Sequence, residues 1–324
     1  MSKADSVKAR LRALAIQGEK PYEYIQTHYF IERILFRLSK SRFSDDFILK
    51  GGLLLHALFE NRSRATRGID FLARQINSAP EAMIEVFKEI CTIPSDDAVT
   101  YDLNTLTAQR ITEDADYPGV RIKVMCYLDR SRSALQFDIG FGDIVIPQPE
   151  SMAYPSLLNM GEAQLLVYSK ESVIAEKFHA MIYLAMANSR MKDFYDIAML
   201  AKSFDFDGLT LYAAIDQTLK HRATPMASSP VVFTDEFAQN AAKLTQWAGF
   251  SRRIHNDAST FPDVLLTIRR FLQPIYAGIL SGTSFSATWD HLEEIWKTQG
   301  TEKTQGTELC VPTMTQASFM RHTD

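Results

Sequence analysis

The residues best placed to do chemistry lie in two short stretches, near residue 50 and near residue 70. Lys50-Gly51-Gly52 precedes an apolar helical segment, and Asp70 stands between two apolar residues of a short strand. Because side chains alternate along a strand, Asp70 faces away from both of its neighbours. A single strand carboxylate is commonly a solvent-facing residue. The glycine pair upstream favours a functional role for Asp70 instead.

A second carboxylate, Asp138, has an equivalent position in a later strand. It faces away from the apolar set Leu135, Phe137 and Ile139. If the two strands pair, Asp70 and Asp138 would converge on one metal ion. The metal site is therefore predicted at Asp70 and Asp138.

The helical half of the chain adds a second group of charged residues. Lys177 lies at the edge of an apolar stripe, where its stem packs and its ammonium reaches a cleft, which suits phosphate binding. Asp193 and Asp196 share a helix face with apolar residues, and buried carboxylates are costly unless cations or metal pair with them. The candidate cations are Arg190, Lys192 and Lys177. The alternatives are ordinary snorkelling of Lys177 and a buried ion network that ties helices together.

Together these groups suit phosphoryl transfer. That reaction needs charge to neutralise phosphate oxygens, donors that orient a triphosphate, and a base for the attacking hydroxyl. Motifs of other chemistries are missing from the sequence: it has no P-loop, no Gly-x-Ser-x-Gly elbow and no dinucleotide-binding glycine fingerprint. The histidines show no ligand spacing, so zinc is not expected.

Hydrophobic periodicity predicts the elements that carry these residues. Helices are predicted over about 22–38, 52–60 and 80–90, and short strands over 47–49 and 69–72. Residues 99–145 alternate with a period of two, which predicts a small antiparallel or mixed sheet joined to those strands. Three prolines between residues 147 and 155 then mark a connector.

After residue 160 the pattern is helical, over 171–188, 192–202, 209–219, 236–247, 262–279 and 289–297. The predicted fold class is α+β, a mixed sheet with flanking helices followed by an all-helical domain. The domains are predicted at 1–155 and 156–297, before a tail over 298–324. A repeated Lys-Thr-Gln-Gly-Thr-Glu unit predicts that this tail is disordered.

The composition is that of a soluble globular protein. Hydrophobic residues make up 46% of the 324 residues and charged residues 23%. No apolar run approaches the roughly 20 residues that a membrane helix needs. The three cysteines are far apart, and the N-terminus lacks the layout of a signal peptide. We therefore expect a cytoplasmic protein without membrane contact.

The net charge of −4 gives no overall attraction to nucleic acid, so a polyanion would need a local basic patch. One candidate patch is the arginine-rich segment 62–67. Another comprises Arg33, Arg37 and Lys40, which recur at helical spacing. The alternative for this second group, and the one we favour, is a solvated helix face.

Five segments resemble, in order, the motifs of the AbiEii/AbiGii family, nucleotidyltransferase-like toxins of abortive-infection (type IV) toxin–antitoxin systems. They are Phe47-Ile-Leu-Lys-Gly-Gly, Arg64-Ala-Thr-Arg-Gly-Ile-Asp-Phe, Phe137-Asp-Ile-Gly-Phe-Gly-Asp, Glu171-Ser-Val-Ile-Ala-Glu-Lys and Arg190-Met-Lys-Asp-Phe-Tyr-Asp. The similarity covers roughly residues 5–297. Each motif alone is weak, but five in the right order are fairly specific.

The resemblance implies a nucleotidyltransferase core followed by a helical domain, with the nucleotide between them. It also implies magnesium, a nucleoside triphosphate, an RNA acceptor (tRNA for some members) and an antitoxin encoded by a neighbouring gene. It assigns phosphate contacts to Gly51 and Gly52, metal binding to Asp70 and Asp138, and triphosphate binding to Lys177. Asp193 would be the base or a nucleotide-positioning group, and the remaining nucleotide-binding residues would be Lys50, Arg190, Lys192 and Asp196.

One position departs from the family pattern Arg-x-Thr-x-Asp-Ile-Asp, because Gly68 stands where the first acid is expected. A glycine side chain cannot bind metal, and metal charge contributes several kcal/mol to such reactions, so metal affinity and rate should fall. A water molecule could fill the position, another acid such as Asp143 could replace it, or catalysis could be lost.

The leading hypothesis is a toxin that transfers a nucleotide from a nucleoside triphosphate to an RNA or protein hydroxyl. The second is a catalytically inactive module that binds nucleotide, RNA or an antitoxin. A third is a small-molecule nucleotidyltransferase resembling the antibiotic-modifying enzymes. The third would need an acidic pocket for a cationic acceptor, and the arginine-rich segment 62–67 argues against it.

Overall fold

The computed structural model of the chain describes residues 2–59, 66, 68–113, 117–254 and 259–298. Its helices are α1 (Lys3–Gln17), α2 (Tyr22–Lys40), α3 (Gly51–Leu58), α4 (Pro80–Thr92), α5 (Lys170–Leu184), α6 (Met191–Ser203), α7 (Gly208–His221), α8 (Asp235–Ala238), α9 (Ala241–Arg253) and α10 (Phe261–Ser281). Its strands are β1 (Phe47–Lys50), β2 (Ile69–Ala73), β3 (Thr100–Glu113), β4 (Tyr117–Leu128), β5 (Ser131–Phe141), β6 (Glu150–Tyr154), β7 (Ala163–Val167), β8 (Phe206–Asp207), β9 (Thr288–Asp290) and β10 (Ile295–Lys297).

The larger sheet is mixed, with strand order β3-β4-β5-β2-β1-β7-β6. Strand β2 lies parallel to β5 and antiparallel to β1, while β1 lies parallel to β7. Helices α2, α3 and α4 pack against this sheet. The predicted fold class, a mixed sheet with flanking helices followed by a helical region, is confirmed, although the region predicted to be all-helical also contains strands β7 to β10.

One face of the sheet is closed by an aromatic core. The rings of Phe47, Phe71, Phe87 and Phe137 contact one another, with centroids 4.7–5.9 Å apart. Phe71 and Phe137 come from the strands that carry Asp70 and Asp138. Because side chains alternate along a strand, burial of these phenylalanines turns both carboxylates to the opposite face.

Two parts of the secondary-structure prediction are wrong. The connector after residue 146 contains strands β6 and β7, and β7 pairs with β1 inside the sheet. The predicted helix over 289–297 is a hairpin, β9 and β10, whose Trp289 and Trp296 rings both contact the Phe271 ring. Burying these two indoles against α10 outweighs the weak helical pattern of the segment.

The expectation of a solvated helix face or a polyanion patch on α2 is also wrong for Arg33 and Arg37, since both are buried. Arg37 donates to both carboxylate oxygens of Asp97, at 2.6 and 3.0 Å. Arg33 is ion-paired with Glu32 and donates to backbone carbonyls of residues 160 and 161. These arginines stabilise the buried side of α2.

Some predictions concern residues that the structure does not describe: the arginines of segment 62–67 and the tail from residue 299 onward. The domain boundaries stay predictions, although the sheet continues past residue 155 to include β7. Within the described part of the chain, no helix has both the length and the apolar character needed to cross a membrane.

Candidate active site

Four charged residues form one row across the middle of the sheet. Asp70 of β2 lies opposite Lys50 of β1 on one side and opposite Asp138 of β5 on the other. Asp138 in turn lies opposite Arg121 of β4. The strands therefore pair as the metal-site prediction required, and the two carboxylates are flanked by a cation at each end of the row.

Gly51 brings the start of α3 against Asp70. Its φ is +70°, a left-handed conformation that favours glycine. A Cβ at this position would lie 2.1 Å from Oδ2 of Asp70. Glycine is therefore needed here both for the turn into the helix and for the close approach of the carboxylate.

Lys177 of α5 is held between two carboxylates of α6. Its Nζ donates to Oδ1 of Asp193 and Oδ2 of Asp196, each at 2.8 Å, and all three side chains are buried. Burial alone would lower the pKa of Lys177, but the two aspartates raise it to about 12. The expectation that cations compensate these carboxylates is confirmed for Lys177.

Arg190 is the second cation beside Asp193. Its Nε lies 2.6 Å from Oδ2 of Asp193, an ion pair that lacks the alignment of a hydrogen bond. Burial alone would raise the pKa of Asp193, but Lys177 and Arg190 outweigh it and hold that pKa below its usual range. Lys192 is exposed at the rim of the site. A carboxylate with a lowered pKa is a weak proton acceptor, which disfavours Asp193 as a general base.

A second ion cluster lies behind Lys50. Lys50 Nζ is 3.2 Å from Asp143 and 3.5 Å from Glu176, and Arg222 is 2.8 Å from Asp143 and 3.4 Å from Glu176. Burial raises the pKa of Glu176, whereas Lys50 and Arg222 overcome burial and lower the pKa of Asp143. Asp143 is thus held by Lys50 and Arg222, which disfavours it as a replacement for the acid missing at Gly68.

Asp138 is engaged by a residue that sequence reasoning missed. Arg121 donates from Nε and Nη2 to the two oxygens of Asp138, at 2.7 and 2.8 Å. Two parallel N–H groups of the guanidinium thus bind the two carboxylate oxygens, a bidentate ion pair with a fixed orientation. A metal ion at Asp138 would have to share or displace this arginine.

A cavity of about 410 Å³ opens between the sheet row and the helical wall. Most of the predicted site residues line it: Lys50, Gly51, Asp70, Asp138, Lys177, Arg190, Lys192 and Asp193. Two predicted residues do not. Gly52 is buried inside α3, and Asp196 lies behind Lys177, where it holds the ammonium in place.

Three residues of the cavity wall were not predicted, namely Tyr168, Val173 and Glu176. Glu176 stands directly before Lys177, so the motif containing it was already recognised. Tyr168 follows the missed strand β7, and its hydroxyl donates to Glu176 at 2.9 Å. The partner cations Arg121 and Arg222 carried no local signal, because only the strand register and the packing of the helices place them.

The acidic end of the cavity partly fits a divalent cation. Burial raises the pKa of Asp70 and the charge of Asp138 adds to this, while Lys50, Lys192 and Lys177 act in the opposite direction. A nearby divalent cation would favour the ionised carboxylate. Among the described residues no three acidic, histidine or cysteine side chains form a metal-binding group. Magnesium often binds through one or two carboxylates plus substrate phosphates, and that arrangement fits Asp70 and Asp138.

Gly68 leaves room for the missing acid. A Cβ built at Gly68 meets no atom of the described chain within 4 Å. It stands two residues before Asp70 on the same side of the chain. An aspartate at this position would therefore be tolerated sterically.

A family profile described as nucleotidyl transferase AbiEii toxin, type IV toxin–antitoxin system, matches residues 33–270. The matched region contains every residue of the cavity wall. No curated protein sequence matches the chain.

Two solved structures from Helicobacter pylori resemble this one at low similarity. JHP933 is 13% identical, with a TM-score of 0.46 over 80% of this chain and 94% of that chain. A second structure, provisionally described as a nucleotidyltransferase, is 13% identical, with a TM-score of 0.45 over 81% of this chain and 99% of that chain. Neither likeness bears on individual site residues.

Proposed function

This chain belongs to the family of AbiEii nucleotidyl transferase toxins of type IV toxin–antitoxin systems, and we propose that its cavity binds a nucleoside triphosphate and transfers the nucleotide to RNA, with tRNA as the acceptor. The observation that supports this most is the opposition of two walls. Asp70 and Asp138 stand on the sheet, and Lys177, Arg190 and Lys192 face them from the helices. The family also implies a cognate antitoxin as partner.

The volume and charge of the cavity suit a triphosphate. At about 410 Å³, the cavity lies within the usual range for small-molecule sites. Arg190 and Lys192 at the rim provide positive charge for phosphate oxygens, and Gly51 at the start of α3 lines the same cavity. Lys177 stays protonated because of its two aspartates, and these carboxylates offset its positive charge, so the positive charge at the rim comes from Arg190 and Lys192.

A divalent metal ion, held by Asp70 and in part by Asp138, would neutralise phosphate oxygens when bound with the triphosphate. The residues of this chain have the remaining tasks. Asp193 and Asp196 orient Lys177, and Arg190 and Lys192 hold the triphosphate. Gly51 leaves space for the Asp70 carboxylate at the start of α3.

Two observations favour the alternative, an inactive binding module. Gly68 offers no ligand where the family pattern has an acid, and Arg121 occupies both oxygens of Asp138. Under this alternative the cavity binds nucleotide without transferring it. The proposed enzyme would in any case be impaired relative to a chain with aspartate at position 68.

The test uses magnesium, total tRNA and each of the four labelled nucleoside triphosphates. Three proteins are compared: the natural chain, Gly68→Asp, and Gly68→Asn as a control of equal size without the charge. Labelled RNA from the natural chain supports the proposal directly, and a higher rate from Gly68→Asp alone supports the impairment. Label from Gly68→Asp but not from the natural chain or Gly68→Asn would identify a silenced transferase. The transfer proposal is wrong if triphosphate binds to all three proteins and none labels RNA.

A further inference from the structure

A basic groove adjoins the cavity on its helical side. It lies between the start of α6 and the last turns of α9, and its volume is about 680 Å³. Its lining includes Arg190, Lys192, Gln246, Gly249, Phe250 and Arg253. Arg190 and Lys192 line both the groove and the cavity, so these two residues form the border between the two spaces.

Among the described residues, the charged side chains that line the groove are all positive, whereas the chain as a whole has a net negative charge. Three cations line it, and no aspartate or glutamate does so within the described part of the chain. The sequence as a whole carries a net charge of −4, so this is a local concentration of positive charge. A concave surface lined by one sign of charge attracts ligands of the opposite sign.

Gln246 adds a polar feature inside the groove. Its Oε1 is buried and has no hydrogen-bond partner among the described residues. A buried acceptor without a donor costs free energy, which a bound ligand recovers when it donates a hydrogen bond there. The 2′-hydroxyl of RNA is such a donor, and DNA lacks it.

The groove is built on a rigid support. Trp247 and Phe250 of α9 are buried, and their rings contact each other and the neighbouring Phe261 and Tyr195. Arg253 is exposed at the last residue of the same helix. The groove is therefore preformed, and its cations stand on a fixed backbone.

We propose that this basic groove binds the sugar–phosphate backbone of the acceptor RNA and leads its reactive end into the cavity. This inference rests on the proposed transfer to RNA. Arg253 contacts a phosphate remote from the reacting end, Arg190 and Lys192 bridge the two spaces, and Gln246 accepts from a 2′-hydroxyl. An acidic protein segment would also be attracted by the charge, but it would not supply the ribose hydroxyl that Gln246 favours.

The test compares Arg253→Ala with Arg252→Ala. Both residues are exposed arginines at the end of α9, and only Arg253 lines the groove. We measure binding of end-labelled total tRNA by filter binding between about 50 and 200 mM salt. Arg253→Ala should weaken tRNA binding about tenfold. It should also reduce the slope of log affinity against log salt concentration by the equivalent of about one phosphate contact. Arg252→Ala should change the affinity less than about twofold. Triphosphate affinity should be unchanged in both variants.

A second variant tests the ribose contact. Gln246→Leu should reduce the preference for tRNA over DNA of the same sequence, because the amide acceptor is removed. Equal loss of affinity for both nucleic acids would contradict the role given to Gln246. Polyglutamate serves as the probe for an acidic protein occupant, and the proposal is overturned if it binds as tightly as tRNA and loses the same affinity in Arg253→Ala.

The remaining outcomes separate this inference from the proposed function. If the natural chain labels tRNA and Arg253→Ala binds and labels it equally well, the groove is not the RNA site and the proposed function stands. If the natural chain binds triphosphate but neither binds nor labels tRNA, RNA is not the acceptor and both proposals fail.

Discussion

Gly51 and Asp70 are in direct contact, since a Cβ at Gly51 would lie 2.1 Å from Oδ2 of the Asp70 carboxylate. Gly51→Ala should therefore displace Asp70 as well as strain the left-handed backbone. We expect the free energy of unfolding to fall by about 2–3 kcal/mol. Alanine is strained in the left-handed conformation, and its Cβ would also clash with the Asp70 carboxylate. Denaturant unfolding measures the stability, and calorimetry should show weaker binding of magnesium triphosphate.

Gly282 provides the matched control. Its φ of +69° is close to the +70° of Gly51, and no atom of the described chain lies within 4 Å of a Cβ built there. Gly282→Ala should lower the free energy of unfolding by about 1–2 kcal/mol, because alanine is strained in the left-handed conformation. It should leave triphosphate binding unchanged. Equal effects of the two substitutions on stability and binding would show that the contact with Asp70 has no consequence.

Lys177→Met should destabilise the fold as well as the site. The substitution leaves Asp193 and Asp196 buried without the ammonium that is ion-paired with both. Removing one partner of a buried ion pair typically costs about 3–5 kcal/mol. The exposed Lys192→Met should change the free energy of unfolding by less than about 0.5 kcal/mol. Equal stability of the two variants in urea would contradict the structural role of Lys177.

Arg121→Met should remove the cation paired with Asp138 and leave Gln136, at 3.3 Å, as the side-chain donor to the two carboxylate oxygens. Because about a third of the Arg121 side chain is exposed, the loss of stability should be within about 1 kcal/mol. Affinity for a divalent cation should rise, since the competing guanidinium is gone, and manganese titration measures it. Lys123→Met removes a neighbouring positive charge of β4 without touching Asp138. If Arg121→Met and Lys123→Met gain the same affinity for manganese, the gain comes from removing a positive charge near the site. The specific ion pair between Arg121 and Asp138 would then not be its cause.

His56 should make the fold sensitive to acid. Burial, with a smaller contribution from Lys20, lowers the pKa of His56 from 6.5 to about 4. Between these two values the unfolded chain binds the additional proton, so stability rises with pH over this range and is fully present above about pH 6.5. His56→Gln should remove this part of the pH dependence. The prediction is tested by urea unfolding at several pH values, and it fails if the difference between the natural chain and His56→Gln is constant from pH 4 to 7.

Local patterns predicted the central strands and the residues that face the cavity. The alternation around Asp70 and Asp138 fixed the side of the sheet on which each carboxylate lies, and the strand register then placed them opposite each other. The apolar face of α6 predicted that Asp193 and Asp196 would be buried. These predictions succeeded because each depended on the period of one element.

What the sequence could not predict depends on contacts between distant segments. Arg222 follows α7 and reaches Asp143 across 79 residues of sequence, and no local pattern indicates that pair. The burial of Arg33 likewise depends on carbonyl groups at residues 160 and 161. The β9–β10 hairpin escaped prediction because its two tryptophans pack on α10 instead of following a helical stripe.

The cavity wall is contributed by segments that are far apart in the order of synthesis. Lys50, Asp70 and Asp138 leave the ribosome first, and Arg190 to Asp193 complete the wall much later. Because nascent chains fold from the N-terminus, the two sheet carboxylates exist for a time without the helical wall that opposes them. A chain terminated before residue 190 would therefore carry both sheet carboxylates and lack Arg190, Lys192 and Asp193 of the cavity wall.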